Sequence, residues 1–581
     1  MSLDILLSVL GEDPKSLVID RTLSSSINAL IPFSRLKQRA NLHNVYWFQD
    51  SLNVTIDTSM TFLIRSELQN ISLLDKRIKE LMALNEGVQI DVVITDDYAR
   101  SFKHEMERVG ILGEIFTVKE WKLWLDLDGM MSLNLKQLES LYLYKTPSSP
   151  FKLASLLNEH LKRHPEMRIT QILSKGLNSS KFVQIFKDLR ENEVSQMSME
   201  EKREFLKIEH GLYEKLSSGK QCDLIVLERN LDFMSVVLPQ LSYSGVIDEI
   251  AGIDVNTIVL DDETIYLSLG EESGDNIYDS LKYMNFGMAC DYLNTEAKSL
   301  QSQYDLLVKR VEVSSNLVSE LQQLEFLKKE VSTHTKISES ILQKISDSSR
   351  FNELLELHQN IILQNIGYST SISKVLDLIY QLFPVNDILR LLSIVSIVFG
   401  GLREKDFQSL SNEIIESYGI KYLLVLQNLL KVGVLSIRGD PSIIKNFNSL
   451  NSAMHLLPSD GDPDDLLANV MAYRGYVPLV ARILEKTLSA NDRASWRDVD
   501  LSSILGKVVD ERMVKDVKLG GALQKNSTVF IVMIGGITHS ELAAIRQFEE
   551  RFEKKYGVKK SVVVLTDGFV NAGDLLKSVS G

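Results

Sequence analysis

Apolar and polar positions follow two different rhythms along this chain. Near the amino terminus, short apolar or β-rich runs stand at residues 17–19, 45–48, 61–64 and 91–95, separated by helix-period stretches such as SLLDKRIKELMAL from residue 72. Strands alternating with helices predict a parallel sheet with helices on both faces, over residues 1–124. A second α/β domain is predicted in two pieces. One covers residues 125–250 and holds the buried-strand run LIVL at 224–227; the other covers residues 467–581 and holds TVFIVMI at 528–534 and SVVVL at 561–565. A helix over about 540–556 between the last two runs makes a strand–helix–strand crossover. Both pieces are therefore expected to add to one sheet.

Between them, residues 251–466 read as a mainly helical insertion. From 293 to 367 there is no proline and no glycine until the end, which predicts a helical hairpin over that span. Within it Leu317, Leu321, Leu324, Leu327 and Val331 recur at spacings of three and four, an amphipathic pattern. The stripe loses its apolar character at His334 and Ser338 and resumes at Ile341 and Ile345. Two readings fit: a core-facing helix with a solvated polar break, or a helix extending beyond the body whose polar stretch is free for a partner helix. Residues 374–437 read as a compact helical lobe, in which Gly400-Gly401 closes the apolar helix DILRLLSIVSIVF. PSDGDPDD at 458–465 reads as a loop leading back to the split domain.

Composition narrows the function classes. A length of 581 residues suits roughly three to four domains at about 150 residues each. With 64 basic and 78 acidic residues the net charge is −14, which argues against a nucleic-acid partner. Cys222 and Cys290 are the only cysteines, too few for a structural zinc site of their own and in keeping with a reducing cytoplasm. The first fifteen residues lack a basic segment and a small-residue cleavage site, so no secretory leader is expected. The most apolar segment, residues 391–399, falls far short of the roughly 20 needed to span a bilayer.

The signatures of catalysis fail one by one. No phosphate-binding loop and no glycine-rich dinucleotide fingerprint follows any predicted strand. His160 and His164 have the spacing of zinc ligands but no general-base Glu between them and no third ligand, so a solvated helix face is the better account. Asp460, Asp462 and Asp464 resemble the start of a calcium loop, but Asp465 stands where glycine is needed and Met471 where Glu should be. Ser242 and Ser244 make no nucleophile elbow. Glu228, Arg229 and Asp232, just past LIVL, are read as a salt-bridged domain junction rather than an acid–base site, because Arg fixes carboxylates bidentately without any chemistry. No enzyme, metal or cofactor is predicted.

DLIVLERNLDFMSVVLPQLSYSGVIDEI at 223–250 resembles the central signature of the SM (Sec/Munc) family of SNARE-binding proteins, with Glu228 where an aspartate is usual and Ser235-Val236 where a Thr-Pro pair is usual. IGGITHSELAAIRQF at 534–548 is similar to the family's carboxyl-terminal element through Gly535, Gly536, Thr538, Glu541 and Arg546, and VSTHTKISESI at 331–341 to its helical-hairpin segment. QLSYSGVIDEIAGI, DPDDLLANVMAYRGYVPLVARI and KSLVIDRTLSSSINALIPFSRLKQ look most like the vacuolar protein-sorting, class C branch. The resemblance implies an α/β plus helical fold, arch-shaped and three-domain, with two Rossmann-like parallel-sheet domains as scaffold. It further implies a chaperone or template for SNARE assembly in endosome–vacuole or lysosome fusion, as a subunit of the HOPS and CORVET tethering complexes. The partners would be SNAREs of the Qa and R types and other class C subunits, and the protein would be cytoplasmic, reaching late endosome and vacuole membranes only through those partners. A structural adaptor without SNARE contact, or a nucleotide-binding enzyme, are the alternatives.

On that reading the SNARE contacts fall on the hairpin, at Phe326, Lys329, His334, Lys336, Glu339 and Gln343. Phe326 reads equally as core, and His334 as a residue that caps or packs. Tyr473 and Tyr476 are the candidates for the tether-partner contact, with burial in the split domain as the alternative.

Overall fold

The computed structural model describes residues 2–50, 59–84, 87–95, 100–127, 129–164, 167–196, 198–200, 220–267, 276–308, 315–346, 349–439, 446–458, 465–467, 472–489, 504, 507–512 and 528–580. They form two compact units, the first made of Met1–Leu127, Ser132–Asn134 and Ile253–Ile258, the second of Asp128–Met131, Leu135–Gly252 and Val259–Gly581.

In the first unit, strands β1 (Lys15–Ile19), β2 (Leu42–Trp47), β3 (Ser59–Arg65), β4 (Gln89–Thr95) and β5 (Thr117–Trp121) form a sheet in the order β2-β1-β3-β4-β5. Every neighbouring pair is parallel. Successive residues of a strand point to opposite faces, and here they enter different cores. Phe62 and Ile64 of β3 pack with Ile71, Leu74 and Ile78 of helix α1 (Leu68–Leu84), while Leu63 between them packs with Leu17, Ile19 and Trp121. Both faces are covered, so the strands read as unbroken apolar runs rather than as alternation.

The second unit's sheet includes β6 (Met167–Lys175), β7 (Lys220–Glu228), β8 (Val508–Arg512), β9 (Thr528–Ile534) and β10 (Ser561–Thr566), in the order β8-β6-β7-β9-β10. All these pairs are parallel except β8 with β6. β7 and β9 run in register from Cys222–Thr528 to Glu228–Ile534, so the two pieces of the split α/β part share one sheet. β6 and β8 have no counterpart in the sequence-based expectation.

Along the rest of the second unit run α2 (Leu177–Gln196), α3 (Tyr243–Ile250), the pair α4 (Phe286–Val308) and α5 (Ser315–Ser346), then α6 (Ser349–Ile362) and α7 (Tyr368–Tyr380). α8 (Val385–Val398), α9 (Glu404–Tyr418) and α10 (Lys421–Val432) follow, with α11 (Leu479–Ser489), α12 (His539–Tyr556) and α13 (Ala572–Ser580) beyond them. α8 ends where expected, with Gly400 and Gly401 both at positive φ, +65° and +98°.

The helical stretch expected as a separate domain over 251–466 is part of this second unit, apart from Ile253–Ile258, which belong to the first. The ties are specific. Arg390 of α8 donates both terminal nitrogens to Glu249 of α3 at 2.9 Å, and Asn428 of α10 donates to the Val579 carbonyl of α13 at 2.9 Å. The acidic loop carrying Asp460, Asp462 and Asp464 lies outside the described residues.

Candidate partner-binding site and the joint beneath it

The charged group after β7 is the joint of the second unit. Glu228, the last residue of β7, accepts the backbone N–H groups of Leu177 at 3.1 Å and Asn178 at 2.9 Å, at the amino end of α2 where a carboxylate is favoured. Arg229 is fully buried and grips both carboxylate oxygens of Glu541, at 2.6 and 2.8 Å, while also donating to the carbonyls of Asp232 and Gly536. Glu541 closes a capping box with Thr538 at the start of α12. Asp232 accepts four bonds: the Ser235 N–H and hydroxyl at 3.0 and 2.6 Å, the Tyr476 hydroxyl at 2.9 Å and the Leu479 N–H at 3.0 Å. Burial alone would lower the Arg229 pKa; the Glu541 carboxylate, and after it Asp232, more than offset this and raise it, so the guanidinium stays charged.

Two glycines make this packing possible. Gly535 and Gly536 sit at φ +93° and +97°, and a Cβ would come within 2.9 Å of the Arg229 Cβ at the first and 2.4 Å of Val570 at the second. The cluster ties residues 228–238 to 473–479 and 535–541. It holds chain segments together, and its carboxylates are committed to bonds inside the fold.

That joint takes up both tyrosines expected at the tether contact. Tyr473 and Tyr476 are each 2% exposed. The Tyr473 hydroxyl lies 2.8 Å from the Ser235 carbonyl and 2.6 Å from the Thr538 hydroxyl, and Tyr476 donates to Asp232. Burial, with the nearby carboxylates Glu541 and Asp232, pushes both hydroxyls well above the usual tyrosine range. The buried alternative describes them; they brace the joint and present no surface to a partner.

On the hairpin, α4 and α5 pack along each other. The two faces of α5 differ sharply. Val331, His334, Ile337, Ser338 and Ile341 are buried, whereas Glu325, Lys329, Ser332, Lys336, Glu339 and Gln343 are exposed at spacings of three and four, one continuous polar stripe. Of the six expected contact residues, Lys329, Lys336, Glu339 and Gln343 thus share an exposed face, and Phe326 is half-buried. His334 is a correction. Together with Ser338 it lies on the buried face, so the polar break is internal rather than solvated. Its Nδ1 lies 3.0 Å from the Tyr243 hydroxyl of α3, and its ring stacks on Tyr278 with centroids 5.7 Å apart. The sequence carries both Tyr243 and His334, but nothing in either local pattern announces that they meet.

Two apolar features adjoin these elements. A cavity of about 520 Å³ is lined by Pro239, Val246, Ile250, Phe286, Ile345 and Leu355 among others. On the helical lobe, Tyr380, Leu382, Ile420, Leu423 and Leu424 are exposed, and the Tyr418 hydroxyl donating to the Phe383 carbonyl at 2.7 Å fixes the ends of α7 and α9 together. Single exposed apolar residues are ordinary, and these five stand at or just past the ends of α7, α9 and the start of α10. Among the described residues no group of three or more His, Cys, Asp or Glu is placed to hold a metal ion, and no helix is long and apolar enough to cross a membrane.

Comparison with known proteins agrees with this architecture. The model of the Sec1 family matches residues 15–578. Vacuolar protein sorting-associated protein 33 of Schizosaccharomyces pombe is 24% identical over 606 residues, 99% of this chain and 96% of its own. The Arabidopsis thaliana homolog of that protein is 24% identical, covering 97% of this chain and 93% of its own. Human vacuolar protein sorting-associated protein 33B is 25% identical, with 97% and 94% covered. Among solved structures, that of the Unc18–syntaxin 1 complex from Monosiga brevicollis has a TM-score of 0.62 at 14% identity, covering 100% of this chain and 98% of the other. The SM protein Vps45 in complex with the Qa SNARE Tlg2 has a TM-score of 0.61 at 15% identity, with 100% and 96% covered. At those identities the structural likeness is one of fold.

Proposed function

The chain belongs to the Sec1 family, and from that premise we propose that it binds SNARE segments of the Qa and R types along the exposed stripe of α5 and promotes their assembly in endosome–vacuole or lysosome fusion. One observation carries the reading: Lys329, Lys336, Glu339 and Gln343 face outward in a line on a helix anchored from behind by His334 and Tyr243. SNARE segments are disordered until they pair, so ordering them is costly. A fixed helix with a polar, mixed-charge face lowers that cost by holding a segment in register, and like charges disfavour wrong registers. Half-buried Phe326 offers an apolar edge to the same stripe. No catalytic step is assigned to any residue.

The charge-reversal pair Lys329→Glu, Lys336→Glu is expected to weaken binding of isolated SNARE motifs by about tenfold or more, with an unchanged melting temperature, because both side chains are exposed. Equal binding by variant and parent in a titration would move the site off α5.

Attachment to class C tethering subunits, and through them recruitment to the membrane, is assigned to the exposed apolar residues of the helical lobe in place of Tyr473 and Tyr476. Introducing Ile420→Asp with Leu424→Asp is expected to abolish co-purification with those subunits and leave binding of SNARE motifs intact. Retained co-purification would place the contact elsewhere.

A further inference from the structure

Asp261 and Asp262 occupy a tight turn in the left-handed region, at φ +52° and +66°, a conformation that Asp tolerates better than most residues. The turn delivers a carboxylate to α5. Ser340 donates its hydroxyl to Asp261 Oδ2 at 2.7 Å, and Lys344 Nζ stands 3.3 Å from Asp261 Oδ1. Lys336, Ser340 and Lys344 follow one another at intervals of four, so Asp261 lies along one flank of the stripe assigned above to the bound segment. The Ser340 hydroxyl, and after it the Lys344 ammonium, hold Asp261 below the usual carboxylate range, the mark of an anion already served by this helix.

The contact is built to be given up. The side chains of Lys344 and Asp261 are 42% and 64% exposed, and an ion pair that open to water contributes little and is screened by salt. Ser340 and Lys344 nonetheless form a ready carboxylate receptor, one hydroxyl donor and one cation a helical turn apart.

We propose that Asp261 is an intramolecular stand-in, occupying in the unbound protein the place that an acidic side chain of the bound helical segment takes on Ser340 and Lys344. A segment with a carboxylate at that position replaces Asp261 bond for bond. One without it must leave Asp261 in place or leave Ser340 and Lys344 unserved. The turn thus competes only with segments that carry the acid, weakening their hold on α5, while segments without it bind with Asp261 left in place. This inference rests on the SNARE-binding reading and deepens it.

The test uses the full chain with two labelled peptides, a Qa SNARE motif and the same motif with its outward-facing acids changed to amides. Asp261→Ala is expected to bind the acidic peptide about three- to fivefold more tightly than the parent, the most that displacing so exposed a pair can return, and the amide peptide within about twofold of it. Adding Lys344→Gln to Asp261→Ala should remove the gain. Asp261→Asn, which keeps the Ser340 bond and loses the charge, should fall between. Unchanged affinity of Asp261→Ala for the acidic peptide, or an equal gain for both peptides, overturns the role of Asp261 and leaves the SNARE reading standing. No binding of either peptide by the parent and by every variant overturns both.

Discussion

Replacing Arg229 by methionine is expected to destabilise the second unit by about 3–5 kcal/mol, the cost of leaving a buried carboxylate without its cation. Arg229 is fully buried with Glu541 beside it, also fully buried, and Asp232 close by. Removing the guanidinium therefore leaves two buried acids without their shared cation. Lysine is a poor substitute, since it cannot donate bidentately to Glu541 and also reach the carbonyls of Asp232 and Gly536. The double variant Arg229→Met, Glu541→Leu should be less destabilised than Arg229→Met alone, because the unpaired charge is gone. It should still fall short of the parent by about 1 kcal/mol, since Glu541 also completes the Thr538 capping box. Urea-dependent hydrogen exchange of β7 and β9 would measure all three proteins. A loss below about 1 kcal/mol in Arg229→Met would mean that the ion pair does not hold the joint.

Lowering the pH from 7 to 4.5 should cost the second unit about 2–3 kcal/mol at each of two buried histidines. His358 and His539 are buried, and that burial, helped at His358 by the Arg390 charge, pulls both down to about 3 from an ordinary 6.5. In the folded state they stay neutral while the unfolded chain takes up protons, so stability is lost as pH falls from 6.5 towards 3, at about 1.4 kcal/mol per pH unit for each. Asp567 works in the opposite direction. Burial raises it to about 6 from 3.8, despite bonds from the Ser149 hydroxyl and the Gly535 N–H, so acidification below 6 returns about 2 kcal/mol by pH 4.5. Burial also raises Glu228, Asp387 and Glu485, which act in the same direction as Asp567, so the histidine contribution is read from the difference between parent and variant. His358→Leu should roughly halve the histidine contribution, leaving the variant much less acid-sensitive. An acid-induced shift of the urea midpoint that is the same in His358→Leu as in the parent would contradict the account.

The scaffold was legible wherever burial is two-sided. β3, β4, β7 and β9 are covered on both faces or nearly so, and they stand in the sequence as unbroken apolar runs. β6, MRITQILSK, mixes polar residues into its run, and β8, VVDER, pairs antiparallel beside it; neither carries that signal. Family membership was legible from three motifs, and the joint shows what residues of two of them do together. Arg229, Gly535, Gly536, Thr538 and Glu541 interlock, so none can be changed alone. Of the expected contact residues, the exposure of four was legible. Helical spacing gave the exposed line of Lys329, Lys336, Glu339 and Gln343, but not the burial of His334, whose partner Tyr243 lies 91 residues away. Tyr473 and Tyr476 show the same limit from the other side. A tyrosine suits an interface or a hydrogen-bonded interior equally well, and only the position of Asp232 and Thr538 decides between them.

The pairing of β7 with β9 also sets a timetable for synthesis. β7 is complete once Glu228 has been made, but its neighbour on that side ends at Ile534. At about 5–20 residues per second the nascent chain carries an open, apolar strand edge for about 15–60 s before its partner emerges. Unpaired edges of this kind are where chains associate wrongly. A premature stop before residue 528 would accordingly do more than shorten the protein. It would leave the central strand permanently open on one edge and Arg229 without Glu541, turning the second unit into a substrate for chaperones and proteases. Chain-terminating lesions late in this sequence should therefore act through loss of the protein rather than through a truncated but working product.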